Sequence, residues 1–105
     1  MTPIKNCIVN KDTTIKPIWL MRQAGRYLPE FRGIRKNNQD FIKLCLNENL
    51  SSIITLQPIK RFGFDAAIIF SDILMLPYAM NQKVEFEKGY GPKLGDLNIK
   101  KIKEV

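Results

Sequence analysis

Pro17-Ile18-Trp19-Leu20-Met21-Arg22-Gln23-Ala24-Gly25-Arg26-Tyr27-Leu28-Pro29-Glu30-Phe31-Arg32 opens on a short apolar run and ends in charge. Ile18 to Met21 has the length and composition of a buried strand. Arg22 stops the run, and Gly25 and Pro29 mark the next residues as a loop. Two arginines, Arg22 and Arg26, are therefore expected at the mouth of a strand. The chain has twelve lysines and five arginines, yet four of those arginines (Arg22, Arg26, Arg32, Arg35) fall within fourteen residues. Where general basicity is met by lysine, clustered arginine points to a placed fork. A guanidinium grips a carboxylate or phosphate through two parallel hydrogen bonds, which an ammonium cannot do.

The pattern continues outward as strand, helix, strand. Pro29 suits the first position of a short helical turn running to Lys36. From Asp40 onward Phe41, Leu44, Cys45, Leu50, Ile53 and Ile54 recur at spacings of three and four, the mark of an amphipathic helix. Residues 47–49 are expected to split it, Pro58 to kink or end it, and Gly63 to stop it. Lys60 and Arg61 stand near the negative end of its dipole. Residues 64–70 come next, wholly apolar from Ala66 to Phe70, as in a parallel strand covered on both faces. An apolar loop is expected to run from Asp72 to Pro77. Val84-Glu85-Phe86-Glu87 alternates like a half-exposed strand, and Gly89 to Pro92 closes that excursion. Leu97, Ile102 and Val105 suggest the start of another helix. Trp19, Phe62, Phe64, Phe70 and Cys45 are expected in the core.

Within this order the segment 17–30 closely resembles the N-terminal signature of the uroporphyrinogen decarboxylase family. Phe70-Ser71-Asp72-Ile73-Leu74 resembles that family's next active-site segment at the expected separation, and Thr55-Leu56-Gln57-Pro58 and Asp65-Ala66-Ala67-Ile68-Ile69 fit between them. The resemblance covers roughly residues 17–92. It implies an α/β fold, the N-terminal and incomplete portion of a (β/α)8 TIM-type barrel, with residues 1–16 as a leader and 17–105 as barrel. Such a barrel takes about 250 residues and carries its active site at the C-terminal ends of the strands. Arg22 and Asp72 both fall at such ends by the strand pattern alone. The chain thus resembles the first third of an enzyme, as a truncated or split reading frame would.

The resemblance also implies chemistry. The family removes carbon dioxide from four acetate side chains of a tetrapyrrole with eight carboxylates, converting uroporphyrinogen III to coproporphyrinogen III without metal or organic cofactor. Electrons must flow into the pyrrole ring as carbon dioxide leaves, so a protonated ring is the electron sink and a nearby anion stabilises it. Asp72 matches the family's aspartate for that role. Arg22 and Arg26 match arginines that hold substrate carboxylates, with Gln23, Ala24 and Gly25 between them in the same binding segment. One of the arginines is also the candidate proton donor, although its high pKa makes arginine a poor general acid. Each residue has a plainer reading beside this one. Asp72 after a strand is often a helix cap, buried ion pairs also recruit arginine, Gln23 and Tyr27 can simply pack, and Gly25 can serve a close backbone approach or a positive φ. The family's tyrosine, serine and histidine come from later strands, and this sequence contains no histidine.

Composition narrows the remaining classes. A chain of 105 residues with 45% hydrophobic content suits one small folded domain. No apolar run approaches the roughly 20 residues of a membrane span, and residues 1–10 lack the charged start and apolar centre of a secretory signal. Two distant cysteines, Cys7 and Cys45, suit reduced cytoplasmic thiols. A net charge of +7 favours anionic partners. No zinc-ligand, recognition-helix or RNA-binding motif accompanies it, and Lys100, Lys101 and Lys103 read as solvated surface. Neither nucleic acid nor membrane is expected as a partner; a tetrapyrrole and, by resemblance, a second copy of the chain are. Cobalamin-linked methyltransferases of the same fold bind zinc through cysteine and histidine, which the missing histidine disfavours. The third class is a non-catalytic fragment binding porphyrin-like anions or a complementing chain.

Overall fold

The computed structural model describes residues 1–97 and 99–102. Two compact units divide the chain, the first made by residues 1–70 and the second beginning at Ser71.

In the first unit, α1 (Pro3–Asn10) forms inside the 1–16 segment, with Thr2 as its cap and Pro3 in its first turn. It buries no residue. α2 (Pro29–Asn37) starts on Pro29 as its sequence predicts, and its last turn carries Arg35 and Lys36. α3 (Phe41–Leu46) is capped by Asp40, whose carboxylate accepts from the Lys43 N–H at 3.1 Å. Asn47 then breaks the chain and caps α4 (Glu48–Phe62), accepting from the Leu50 N–H at 2.9 Å. These caps satisfy donors that each helix start would otherwise leave orphaned. The split at Asn47 and the stop at Gly63 are as expected. Gly63 takes φ +69°, a left-handed conformation that costs a glycine little. Pro58 does not end α4. It removes one donor, but its ring is fully buried, and four further residues come before the cap.

Leu28, Phe31, Leu44 and Ile54 form the core, with Ala24, Ile34, Phe41, Leu50 and Phe70 packed against it. Phe70 meets Phe31 and Phe41 edge to face, with centroids 5.7 and 6.0 Å away. Its backbone is fixed by α4. The Ser51 hydroxyl donates to the Phe70 carbonyl at 2.8 Å, and the Phe70 N–H donates to the Thr55 hydroxyl oxygen at 2.8 Å. Outside the core, α2 and α4 are joined by a two-pronged ion pair, Arg61 donating to both Glu30 oxygens at 2.8 and 2.9 Å.

Neither expected parallel strand is formed. Residues 16–20 and 66–70 have no regular assignment, and Met21 lies in a bend. Ile18 is 59% exposed and Ile69 78% exposed, so the double-sided burial inferred from their apolar runs is absent. Trp19 and Phe62, expected in the core, are likewise exposed. The cause is a missing ladder. Among the described residues one backbone bond joins the two runs, from the Asp65 N–H to the Ile18 carbonyl at 3.0 Å. A parallel strand is stable only when flanked and covered, and these runs have neither condition met.

The second unit holds α5 (Met75–Ala79) where the sequence predicts a loop. Val84–Glu87 is a strand as its alternation predicts, here named β1. Its antiparallel partner is β2 (Gly91–Leu94), with Val84 opposite Leu94 and Glu87 opposite Gly91. Lys93 pairs with Glu87 across the hairpin. The Gly95 N–H donates to the Lys83 carbonyl at 2.8 Å, extending the pairing beyond the strands. α6 (Ile99–Ile102) occupies the predicted final helix; Lys103 and Val105 lie outside the described residues. The described residues thus make a mixed helix and strand fold with an open two-stranded sheet.

The core and the ion pair can each be tested. Ile54 is fully buried, so Ile54→Ala should cost about 2–5 kcal/mol, enough to abolish cooperative unfolding in urea monitored by circular dichroism. Hydrogen bonds from Arg61 hold Glu30 down to about 2 from an ordinary 4.5. A depressed carboxylate contributes stability above its unfolded pKa and loses it as pH falls toward the folded one. The wild-type urea midpoint should therefore decline from about pH 4.5 to about pH 2, and Glu30→Gln should remove that part of the decline. The exposed position of the pair keeps the effect small.

Candidate functional site

The turn carrying residues 22–26 leads from an extended segment into α2. The Leu28 N–H donates to the Gly25 carbonyl at 3.0 Å, and Leu28 itself is buried at the entry to α2. Leu28 thereby anchors the turn on the core while Arg22 and Arg26 stay exposed.

The five arginines fall into two kinds. Arg32 donates to the Arg26 and Tyr27 carbonyls at 2.8 and 3.1 Å. Arg35 donates to the Asn38 and Gln39 carbonyls at 2.6 and 3.0 Å and lies over the Phe41 ring. Arg61 holds Glu30. These three guanidiniums are engaged in holding the first unit together. Arg22 and Arg26 have no side-chain hydrogen bond or ion pair among the described residues. Two planar cations on one short turn, unneutralised from within, are suited to an anion with more than one acceptor.

Gln23 lies between them and points inward, only 3% exposed. Its amide nitrogen donates to the Ala66 carbonyl at 2.9 Å, and its amide oxygen accepts from the Ile68 N–H at 3.3 Å. The Tyr27 hydroxyl donates to the Gln23 carbonyl. Gly25 lacks a positive φ, and a Cβ there would make only ordinary contact with the Tyr27 ring at 3.5 Å. The positive φ offered from the sequence as one reason for that glycine is therefore absent in this conformation. Ala24 packs beneath the turn against the core.

Asp72 belongs to the second unit and is half-buried. Its carboxylate accepts from the Leu74 N–H at 2.8 Å, and its carbonyl accepts from the Met75 N–H at 3.0 Å. It thus shapes the turn into α5, close to the cap that its sequence position allows, with Leu74 rather than Asp72 as the capping residue. Among the described residues no group of three His, Cys, Asp or Glu side chains is gathered as a metal site. No helix described is long and apolar enough to cross a membrane.

Pattern reading misses the part played by two polar side chains. Asp65 accepts from the Ile18 N–H at 2.8 Å, tying the two extended segments at one end as Gln23 does at the other. The only signal in the sequence is a polar residue at the edge of each apolar run, which also reads as simple punctuation.

Comparison with known proteins decides the family. The profile described as Uroporphyrinogen decarboxylase (URO-D) matches residues 1–105. The chain belongs to this family. It is 54% identical over 95 residues to the uroporphyrinogen decarboxylase of Agrobacterium fabrum, covering 90% of this chain and 28% of that protein. The Maricaulis maris enzyme of the same name is 46% identical over 103 residues, covering 98% of this chain and 30% of its own length. With the Acidiphilium cryptum protein identity reaches 59% over 78 residues, or 74% of this chain and 22% of that one. The chain thus spans under a third of the family relatives it matches.

The Asp72 turn makes a separable prediction. Asp72→Asn retains an acceptor for the Leu74 N–H and should leave the thermal unfolding of the chain unchanged. Asp72→Ala removes it and should cost about 1 kcal/mol, read as a lower melting temperature by circular dichroism.

Proposed function

We propose that this chain supplies the N-terminal part of a uroporphyrinogen decarboxylase, acting on the acetate carboxylates of uroporphyrinogen III to give coproporphyrinogen III. The observation carrying this reading is the pair of unengaged guanidiniums, Arg22 and Arg26, in a chain of that family. Each fork would take one substrate carboxylate through two hydrogen bonds. The peptide groups of Gln23, Ala24 and Gly25 would line the substrate between them. Asp72 would accept hydrogen bonds from the pyrrole N–H groups and stabilise the cation formed when the ring is protonated. As the carbon–carboxylate bond breaks, its electron pair moves into that ring; a proton then replaces carbon dioxide on the side-chain carbon, and the ring gives back the proton it had taken up, restoring the pyrrole. No metal or organic cofactor enters this scheme.

The extended runs 17–21 and 66–70 would be strands of a (β/α)8 barrel, flanked there by strands that provide the missing ladder. That enclosure would exclude water from around Asp72, on which electrostatic stabilisation of a ring cation depends. Residues 1–105 by themselves, with Arg22 and Arg26 open to solvent, would bind the anion without turning it over. The assembled protein would be a cytoplasmic homodimer.

Complementation tests this. The chain is mixed with the remaining C-terminal part of the Agrobacterium fabrum enzyme as a separate polypeptide, and coproporphyrinogen is measured by fluorescence after oxidation. Product should form from the mixture and from neither part alone. Asp72→Asn should lower the rate by about 100-fold or more, the usual effect of removing one electrostatic stabiliser of a transition state. A mixture without product, or one indifferent to Asp72→Asn, would contradict the assignment.

A further inference from the structure

The Gln23 side chain has more organisation than a pocket-lining residue needs. In a parallel ladder one residue donates its N–H to a carbonyl of the neighbouring strand and accepts, through its own carbonyl, from the N–H two residues further on. The Gln23 amide does this with its side chain. It donates to the Ala66 carbonyl and accepts from the Ile68 N–H, bracketing Ala67. The amide orientation is fixed by its partners, since a carbonyl can only accept and a peptide N–H can only donate. The residue is buried, so loss of either partner would leave an amide dipole unsatisfied away from water. Its main-chain carbonyl is held as well, by the hydroxyl of Tyr27, whose ring stacks on Phe62 at the end of α4. Arg22 precedes this doubly held residue, and Arg26 immediately precedes Tyr27.

We propose that Gln23 is a positioning residue. Its side-chain amide replaces a peptide group of a parallel strand, and this clip sets the direction in which Arg22 and Arg26 present their guanidinium forks. The inference rests on the proposed function for its consequence, anion binding, but its geometry is testable without any ligand. An isosteric, neutral side chain that can neither donate nor accept in this way should release the turn. A lengthened or shortened main chain is not required, because the clip is made by side-chain atoms alone.

Amide hydrogen exchange and side-chain nuclear magnetic resonance on the 105-residue chain decide it. In the unsubstituted protein the Ile68 N–H should exchange at least about tenfold more slowly than those of Ala67 and Ile69, a factor equivalent to about 1.4 kcal/mol. Gln23→Met should abolish that difference, leave exchange in α4 unchanged, and move the Nε–Hε resonances of Arg22 and Arg26 toward those of a free arginine. Affinity for uroporphyrin I, read by fluorescence titration, should fall about tenfold although both arginines remain. Equal exchange at Ile68 and Ala67 in the unsubstituted chain would overturn the clip, with no variant needed. Lost affinity with Ile68 protection intact would mean direct contact rather than positioning. Lost protection with unmoved arginine resonances and unchanged affinity would remove the link to the turn. Failure of the unsubstituted chain to bind uroporphyrin I would count against the proposed function, while the exchange and arginine resonances would still decide the clip.

Discussion

Two extended, strongly apolar segments, residues 17–21 and 66–70, carry peptide groups that no ladder pairs, and side chains of the first unit take up several of them. A parallel ladder would satisfy them outright. In its place the structure uses side chains. Asp65 takes the Ile18 N–H, Gln23 takes the Ala66 carbonyl and the Ile68 N–H, and Ser51 and Thr55 of α4 take both backbone groups of Phe70. Each of these residues sits on or beside the turn, the core or α4. The result is that the arginine turn is tied to the second segment and, through Phe70, to the helical core. Elsewhere in both runs the apolar side chains remain open to water.

The same constraint explains which elements are legible in the sequence. Helices α2, α3 and α4 declare themselves by local chemistry: Pro29 at a first turn, Asp40 opening an apolar pattern, residues 47–49 splitting it, Gly63 stopping it, and apolar residues at spacings of three and four. Local signals need no partner from elsewhere in the chain, and these agree with the structure. The β1 strand is legible for the same reason, as its alternation is completed by a neighbour four to ten residues away. Pro58 does not end α4, and its ring is fully buried. The runs 18–21 and 66–70 read as strands because apolar content records the environment a segment is suited to. Whether that environment exists depends on non-local partners, and a run of isoleucines does not say which partners are present.

The site shows the same division. Arg22 and Arg26 stand out by clustering, and the structure adds the reason to separate them from Arg32, Arg35 and Arg61: the other three guanidiniums hold carbonyls or Glu30. Sequence spacing cannot make that distinction. Nor can it show that the glutamine between the two free forks turns inward, because Gln has no periodic signature and its partners lie 43 and 45 residues away. Asp72 stands beside the helix start without being its cap. Its carboxylate shapes the turn into α5, and one accepted hydrogen bond leaves acceptor capacity on the same group.

Recognition by two arginine forks and attraction by the general charge of +7 predict different titrations. Titration of uroporphyrin I against two variants separates these directly. Arg22→Lys/Arg26→Lys keeps the net charge and removes both forks; Lys5→Gln/Lys11→Gln lowers the net charge by two and keeps them. Fork recognition predicts that the first variant binds at least about tenfold more weakly while the second binds nearly as the parent does. Binding that survives in the first and collapses in the second would show diffuse electrostatic attraction and contradict the account.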